Sequence, residues 1–166
     1  MKKRVHKIQL KDVGLIVYDF DGVLTDNRAI VSEKGAEGVM VNRSDGLAID
    51  MMRRSGVEQV ILTTEKNKTA VFRARKLRIP IKYGIDDKRD ALERYCKIKG
   101  IPLGKVVYVG NDVNDLDAMA VVGWPVCPSD AYRAIKDVSR MILKTPSGSG
   151  AVRELAGCIF GGIWRI

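Results

Sequence analysis

Residues 14–26 read GLIVYDFDGVLTD, and the prediction of the fold starts here. The run from Gly14 to Asp19 is apolar and rich in branched side chains, which is typical of a parallel strand covered on both faces. Asp19 and Asp21 come directly after the apolar residues, and Gly22 permits a tight turn. The carboxyl ends of parallel strands are where open α/β sheets bind their ligands, so this stretch predicts a carboxylate-bearing site.

Alternating strand and helix patterns continue on the carboxyl side of this stretch. The runs 60–63 and 105–109 predict further buried strands, and segments 124–127 and 140–143 are weaker candidates. Helices are predicted over 45–55 with Ser44 as the cap, over 68–77 after Asn67, over 88–99 from Asp87, and over 130–137 and 150–159. This alternation predicts an α/β domain with a doubly wound parallel sheet.

Residues 27–41, with Lys34-Gly35 at their centre, interrupt this alternation and predict a β-hairpin flap. The flap carries Ile30, Val31, Val39 and Met40, which are too many apolar residues for a solvated loop. We therefore expect it to be buried between subunits, with packing against its own domain as the alternative. The chain of 166 residues is expected to form a single domain over 1–166, with a basic segment at 1–11.

The composition excludes several classes of protein. With 46% hydrophobic and 30% charged residues, the chain has the makeup of a globular domain and not of a disordered one. No apolar run reaches the length of a membrane span, and Met1–Lys11 lacks the apolar core of a signal peptide. We therefore expect a cytoplasmic protein with no membrane partner.

Cysteine and histidine usage limits the chemistry. Cys96, Cys127 and Cys158 are odd in number and too widely spaced for a CxxC site, and we expect them to be buried thiols. His6 is the sole histidine, which excludes two-histidine metal sites and argues against a serine or cysteine nucleophile activated by histidine. Carboxylates, hydroxyls, amides and lysines must therefore carry any catalysis.

The net charge of +9 arises mostly in one region, because residues 65–105 hold 13 basic and 5 acidic residues. Such an excess attracts a phosphorylated or carboxylated metabolite, although solvated lysines on helix faces would give the same count. Nucleic acid is not an expected partner, because the chain shows no helix-turn-helix signature, zinc knuckle or aromatic stacking platform.

Polar residues also follow the second and third predicted strands. Thr63, Thr64 and Glu65 follow one, Asn111, Asp112 and Asp115 follow the other, and Lys88 opens the helix between them. Any one of these side chains is as consistent with a helix cap or a solvated surface as with a site. Together at one sheet edge they provide hard oxygen ligands, which predicts a Mg²⁺ site.

In this order, DFDGVLTD, ILTT, Lys88 and VGNDVND resemble the four motifs of the haloacid dehalogenase superfamily of phosphotransferases. The short segment after the first motif, with SGSGAVRE at 147–154, resembles the capless branch of that superfamily. This branch includes phosphatases of 3-deoxy-manno-octulosonate 8-phosphate and of nine-carbon ulosonate 9-phosphates. The resemblance implies a Rossmann-like domain without a cap, and a homotetramer in which a neighbouring subunit covers each active site.

The resemblance also implies residue roles. Asp19 would be the nucleophile and a metal ligand, while Asp21 would be the general acid and base and would ligate the metal through its carbonyl. Thr63 and Lys88 would neutralise the phosphate. Many members have an aspartate where this chain has Asn111.

That departure leaves two readings of the metal site open. Either Asn111 is the ligand, with Asp112 compensating nearby, or Asp112 coordinates directly. Asp115 would hold a metal-bound water or position Lys88.

The predicted substrate depends on Thr64, Glu65 and Lys76. Octulosonate phosphatases usually have Gly-Arg where this chain has Thr64-Glu65, while the nine-carbon branch has a glutamate there and a lysine eleven residues later. The resemblance therefore favours a nonulosonate 9-phosphate of the sialic acid type, with 3-deoxy-manno-octulosonate 8-phosphate as the alternative. Glu65 would bind sugar hydroxyls, Lys76, of the same or a neighbouring subunit, would pair with the carboxylate, and Arg153 would also meet the substrate.

The expected function is Mg²⁺-dependent hydrolysis of a phosphorylated sugar acid in the synthesis of an acidic cell-surface sugar such as that of lipopolysaccharide. Two other classes compete with it. The chain could be a non-catalytic assembly domain that partners an acylneuraminate cytidylyltransferase, or a phosphorelay receiver. The presence of Asp19, Asp21 and Lys88 favours the enzyme.

Overall fold

The computed structural model of the chain describes residues 8–161. A six-stranded parallel sheet has the order β5-β4-β1-β6-β7-β8, and β2 and β3 form a separate antiparallel hairpin. The strands are β1 Leu15–Tyr18, β2 Thr25–Val31, β3 Glu37–Val41, β4 Glu58–Leu62, β5 Ile81–Lys82, β6 Val106–Val109, β7 Trp124–Cys127 and β8 Met141–Ile142. The helices are α1 Arg43–Arg54, α2 Lys68–Leu77, α3 Lys88–Lys99, α4 Leu116–Met119, α5 Arg133–Val138 and α6 Ala151–Phe160. This is the predicted doubly wound α/β fold, and His6 lies outside the described residues.

Strand β1 lies at the centre of the sheet, between β4 and β6. Leu15 is in register with Glu58 on one side and with Val106 on the other. All four residues of β1 and all four of β6 are buried, as their apolar sequences predict. Because the three strands are parallel, the polar residues that follow them meet at the same edge of the sheet.

Side chains alternate along β1 between two hydrophobic layers. Ile16 and Tyr18 pack with residues of α1, α2 and α6, whereas Leu15 and Val17 pack with residues of α3, α4 and α5. Helices therefore cover both faces, which explains why the central strands are apolar throughout and do not alternate with polar residues.

Helix starts are set by side-chain caps. Asn67 accepts a hydrogen bond from the Thr69 amide at 3.0 Å, and Asp87 accepts one from the Asp90 amide at 2.9 Å, as predicted. The predicted cap of α1 was wrong, because Asn42 and not Ser44 caps that helix. Both residue types are good caps, so the sequence pattern alone favoured the wrong one by two positions.

The predicted flap is present as the β2–β3 hairpin, which begins two residues earlier than the predicted range 27–41. Ile30 is 70% exposed and Met40 is 63% exposed, so these apolar side chains do not pack on the rest of the described chain. Strand β5 was not predicted, because it is only two residues long.

Cys96 and Cys127 are buried thiols, as expected, whereas Cys158 is half-buried. Among the described helices, none is both long enough and apolar enough to cross a bilayer.

Candidate active site

The ends of β1, β4 and β6 open into a cleft of about 340 Å³. All three predicted strand-end groups reach it. The cleft is lined by Asp19, Asp21, Asn27, Thr63, Thr64, Glu65, Asn111, Asp112, Val113 and Asn114.

Asp19 is buried at the floor of this cleft beside a buried lysine. Its Oδ1 accepts hydrogen bonds from the Phe20 amide at 2.7 Å and from Lys88 Nζ at 2.9 Å. Burial, with the nearby carboxylate of Asp115, raises the pKa of Asp19 to about 7. Burial alone would lower the pKa of Lys88, but the two carboxylates raise it overall, so this side chain carries a positive charge at the floor of the cleft.

Asp115 holds Lys88 and the loop after β6 in place. Its Oδ1 accepts from Lys88 Nζ at 2.7 Å and from the Tyr108 hydroxyl at 2.9 Å. Its Oδ2 accepts from the backbone amide of Asn111 at 3.0 Å. A side chain at Gly110 would come within 2.7 Å of the Asp115 Cβ, so only glycine fits there. Of the two roles expected for Asp115, the structure supports that of positioning Lys88.

Thr25 holds the carboxylate of Asp21. Its hydroxyl donates to Asp21 Oδ1 at 3.1 Å and accepts from the Gly22 and Asn27 amides, both at 3.2 Å. Burial raises the pKa of Asp21, whereas the Thr25 hydrogen bond lowers it. Gly22 has a φ of 83°, which is the left-handed backbone that the turn requires.

Asn111 meets both aspartates of the first loop. One polar atom of its side-chain amide lies 2.9 Å from the Asp21 carbonyl oxygen and 3.1 Å from Asp19 Oδ2. Asp112 is exposed, and its carboxylate instead accepts from the Val113 amide at 2.7 Å. The structure therefore brings Asn111, and not Asp112, to the two aspartates.

A carboxylate, a carbonyl and an amide oxygen at one point form the donor set that Mg²⁺ prefers. No three Asp, Glu, His or Cys side chains cluster as a metal site within residues 8–161. The backbone carbonyl and the amide are thus essential to any site here, with water completing the coordination.

The residues after β4 form one wall of the cleft. Thr63 is buried, and its hydroxyl accepts from the Glu65 amide at 3.1 Å. The Glu65 carboxylate accepts from the Lys66 and Asn67 amides, which fixes it at the cleft wall. Thr63, Thr64 and Glu65 therefore lie where the sequence placed them.

A second cavity of about 220 Å³ continues from the cleft, since Asp21, Asn27 and Glu65 line both. It lies between the flap and the start of α2, where Asn67 Nδ2 donates to Glu37 Oε2 at 3.1 Å. The combined space extends from Asp19 toward the flap.

Lys76 and Arg153 line neither of these two cavities, and their contact with the substrate stays a prediction. Lys76 is near the carboxyl end of α2, whereas Glu65 precedes that helix. Because a helix rises by about 1.5 Å per residue, the two residues lie at opposite ends of α2. The Arg153 guanidinium donates to Met51 Sδ at 3.9 Å, and the Arg153 backbone amide donates to Asp45 Oδ1 at 3.0 Å.

Lys76 lines a separate space of about 440 Å³ with Arg43, Arg73 and Arg78, which we call the basic cavity.

Tyr108 and Thr25 are site residues that the sequence patterns did not single out. Tyr108 occurs inside an apolar strand, where its ring predicts burial and nothing more. Thr25 follows Asp21 by four residues, and a hydroxyl at that distance after a turn was the available signal.

Comparison with known families finds a match to the haloacid dehalogenase-like hydrolase family over residues 50–155. The match begins after the DFDGVLTD loop and includes Thr63, Lys88 and the loop after β6. It covers more than half of the chain.

Two curated relatives illustrate the range of similar proteins. The 3-deoxy-D-manno-octulosonate 8-phosphate phosphatase KdsC of Yersinia pestis is 30% identical over 89% of this chain and 80% of its own length. N-acylneuraminate cytidylyltransferase A of Danio rerio is also 30% identical, over 87% of this chain. The chain spans only 34% of that second protein.

Solved structures agree closely with the fold. A HAD family hydrolase from Streptomyces avermitilis superposes with a TM-score of 0.93 at 43% identity, covering 96% of this chain and 91% of the other. The 3-deoxy-D-manno-octulosonate 8-phosphate phosphatase of Moraxella catarrhalis, solved with magnesium, phosphate and KDO, has a TM-score of 0.87 at 32% identity. That match covers 94% of this chain and 89% of the other.

Proposed function

The chain belongs to the haloacid dehalogenase-like hydrolase family and is a phosphatase-type hydrolase, and on this premise we propose that it hydrolyses a phosphorylated sugar acid with Mg²⁺. One observation carries the proposal. Asp19 lies 2.9 Å from Lys88 Nζ at a buried strand end, with Asn111 and the Asp21 carbonyl beside its other oxygen. A nucleophile, a fixed cation and a set of oxygen ligands thus share one cleft.

We propose 3-deoxy-manno-octulosonate 8-phosphate as the substrate. Proteins that carry this activity in their names match most of this chain and most of their own length. The nine-carbon substrate favoured by Glu65 and Lys76 has less support, because Lys76 lies outside the cleft and the cytidylyltransferase match covers a third of that protein. Glu65 in the cleft wall is the observation that keeps the nine-carbon substrate as a second candidate.

The two oxygens of Asp19 have different surroundings, which suggests different roles. Oδ2 faces Asn111 and the Asp21 carbonyl, so it is the oxygen suited to a metal. Oδ1 then attacks phosphorus, and the bond between phosphorus and the sugar oxygen breaks to leave an aspartyl phosphate. Lys88 beside Oδ1 offsets the negative charge of the phosphate during this step.

Asp21 handles the proton in both half-reactions. Its burial raises the pKa of the carboxyl, which favours a protonated acid that can give its proton to the departing sugar oxygen. The resulting carboxylate then takes a proton from the water that attacks the aspartyl phosphate. Phosphate leaves and Asp19 is regenerated.

Asp19, the Asp21 carbonyl and the oxygen of Asn111 would hold the Mg²⁺ ion. When bound, Mg²⁺ supplies positive charge that screens the phosphate dianion from the carboxylate. The solved relative from Moraxella catarrhalis contains both magnesium and phosphate, which supports this cofactor.

We further propose a homotetramer whose flaps are buried between subunits. The exposed Ile30, Val31 and Met40 support this, because burial between subunits would remove three large apolar side chains of one hairpin from water. In such an assembly the basic cavity of one subunit, with Lys76, could face the substrate carboxylate in its neighbour.

Association with a cytidylyltransferase is a further proposal, supported by the match to one.

The test is phosphate release from a panel of sugar phosphates, measured with Mg²⁺ and with EDTA. We expect release from the eight-carbon substrate with Mg²⁺ and none with EDTA. Faster release from a nine-carbon 9-phosphate would transfer the assignment to that substrate. Release from neither sugar acid phosphate, by a folded protein, would contradict the proposed function.

A further inference from the structure

The side chain of Asn111 is nine-tenths buried and meets two oxygen atoms with one end of its amide. That end lies 2.9 Å from the Asp21 carbonyl and 3.1 Å from Asp19 Oδ2, and neither of these atoms carries a proton when Asp19 is ionised. The two ends of an amide have the same shape, so their hydrogen-bond partners decide which end occupies this position.

With the nitrogen at this position, each N–H has its own acceptor. One bonds to the Asp21 carbonyl and the other to Asp19 Oδ2, so the amide joins the loop after β6 to the loop after β1. Asp19 Oδ1 is already bonded to Lys88 and to the Phe20 amide. Both oxygens of the buried carboxylate are then satisfied without any metal.

With the oxygen at this position, three oxygen atoms converge with no proton among them. That arrangement is repulsive unless a cation lies between them, where it becomes a ligand set. The two arrangements differ by half a turn about the Cβ–Cγ bond, a torsion with broad minima in asparagine.

We infer that Asn111 is a reversible amide latch, which donates to both aspartates in the metal-free protein and turns its oxygen toward a divalent cation when one binds. An aspartate at this position could ligate a cation but could not donate in its absence. Asparagine thus brings no charge to a bound cation, but in the absence of a cation it donates hydrogen bonds to both aspartates. The inference rests on the proposed metal site and not on the proposed substrate.

The experiment compares melting temperatures of the wild type and Asn111→Asp at pH 8, in EDTA and in Mg²⁺. In EDTA the variant faces two oxygens with a carboxylate, so we expect it to melt at least about 5 °C lower than the wild type. In saturating Mg²⁺ we expect this gap to close. Mg²⁺ should also bind the variant about tenfold more tightly by calorimetry, since its ligand set carries one more negative charge.

Asn114→Asp is the matched control, because it makes the same chemical change at an exposed position on the same cleft. It should melt within about 2 °C of the wild type in EDTA. Asn111→Leu, which keeps the branching of the side chain and removes both polar ends of the amide, should melt lower than the wild type in EDTA and show little recovery in Mg²⁺.

Equal melting of Asn111→Asp and wild type in EDTA would overturn the latch, as would a deficit that Mg²⁺ does not reduce. None of these measurements uses phosphate release. A chain that hydrolyses no sugar phosphate but shows the metal-dependent gap would therefore contradict the proposed function and leave the latch supported.

Discussion

The strand-end cleft and the basic cavity differ in how their charges are balanced. In the cleft, the charge of Lys88 is met within the chain by Asp19 and Asp115. In the basic cavity, Asp50 is the single lining carboxylate, and it pairs with Arg53 and Arg54 instead of with the lining cations. Within residues 8–161 the four lining cations, Arg43, Arg73, Lys76 and Arg78, form no ion pair.

This contrast separates a buried cation that is paired within the described chain from lining cations that form no ion pair there. The charged groups of the cleft are held by buried hydrogen bonds. Their substitution should therefore have an effect whether or not an anion is bound or subunits associate. Three cations of the basic cavity, Arg43, Lys76 and Arg78, are exposed, so their effect should depend on a bound anion or on a neighbouring subunit. Arg73 is half-buried and donates to the Asn42 carbonyl at 3.0 Å.

The strongest test of the cleft is Asp19→Asn. The amide is a poor nucleophile, so we expect phosphate release to fall by about 10⁴-fold or more. The substitution is isosteric, and the variant oxygen can still accept from the Phe20 amide, so the circular dichroism spectrum should not change. Activity near that of the wild type would refute the assigned nucleophile.

Lys88→Met is the next largest expected effect. It retains the length of the side chain but removes the buried charge between Asp19 and Asp115, and we expect kcat to fall by about 10² to 10³-fold. Two carboxylates also lose their partner, so the melting temperature should fall as well. Lys105→Met, at an exposed position, is the control and should change neither quantity. A Lys88→Met enzyme with unchanged kcat would show that the cleft does not depend on its internal cation.

A pair of smaller effects distinguishes the two regions directly. Glu65→Ala should lower kcat/KM for the sugar acid phosphate by about 10- to 150-fold, because it removes a charged hydrogen-bond acceptor from the cleft wall. Lys76→Ala should lower it only if a neighbouring subunit supplies that lysine. Light scattering on the same samples gives the mass of the assembly. Suppose that both variants are monomeric, that Glu65→Ala keeps its kcat/KM and that Lys76→Ala loses it. That result would assign the substrate to the basic cavity and not to the cleft wall.

The same contrast explains how far the sequence could predict the site. Asp19 and Thr63 follow buried strands directly, and Asn111 follows β6 after Gly110 alone. The apolar runs were therefore enough to place all three at one edge of the sheet. Lys76 was assigned from the resemblance by its spacing of eleven residues from Glu65, and spacing along a helix does not give which cavity lies beside a residue. The choice between Asn111 and Asp112 depended on side-chain direction after a turn, which spacing does not determine.

Roles that depend on contacts distant in sequence were also not predictable. The Tyr108 hydroxyl donates to Asp115 from within β6, but a tyrosine in an apolar run does not indicate such a hydrogen bond in the sequence. The two-residue strand β5 shows the same limit at the level of the fold, since its pairing with β4 is a contact distant in sequence.

The smallest expected effect concerns Asp45, a buried carboxylate close to Arg73 of the basic cavity. Its Oδ1 accepts from the Arg153 amide at 3.0 Å, while Oδ2 has no hydrogen-bond partner among the described residues. Burial outweighs the attraction of Arg73 and raises the pKa of Asp45 from 3.8 to about 6. The folded protein therefore holds this proton more tightly than the unfolded chain does.

Stability from this proton is fully present below pH 3.8 and is lost as the pH rises through about 6. Over that window the loss is at most about 3 kcal/mol, at about 1.4 kcal/mol for each unit of pKa. Asp45→Asn cannot ionise, so the free energy of unfolding of the wild type should fall relative to the variant between pH 4 and pH 7. Urea denaturation of both proteins at each pH measures this difference. If the two curves run parallel across the window, folding does not raise the pKa of Asp45, and this carboxylate is not the group that binds the proton.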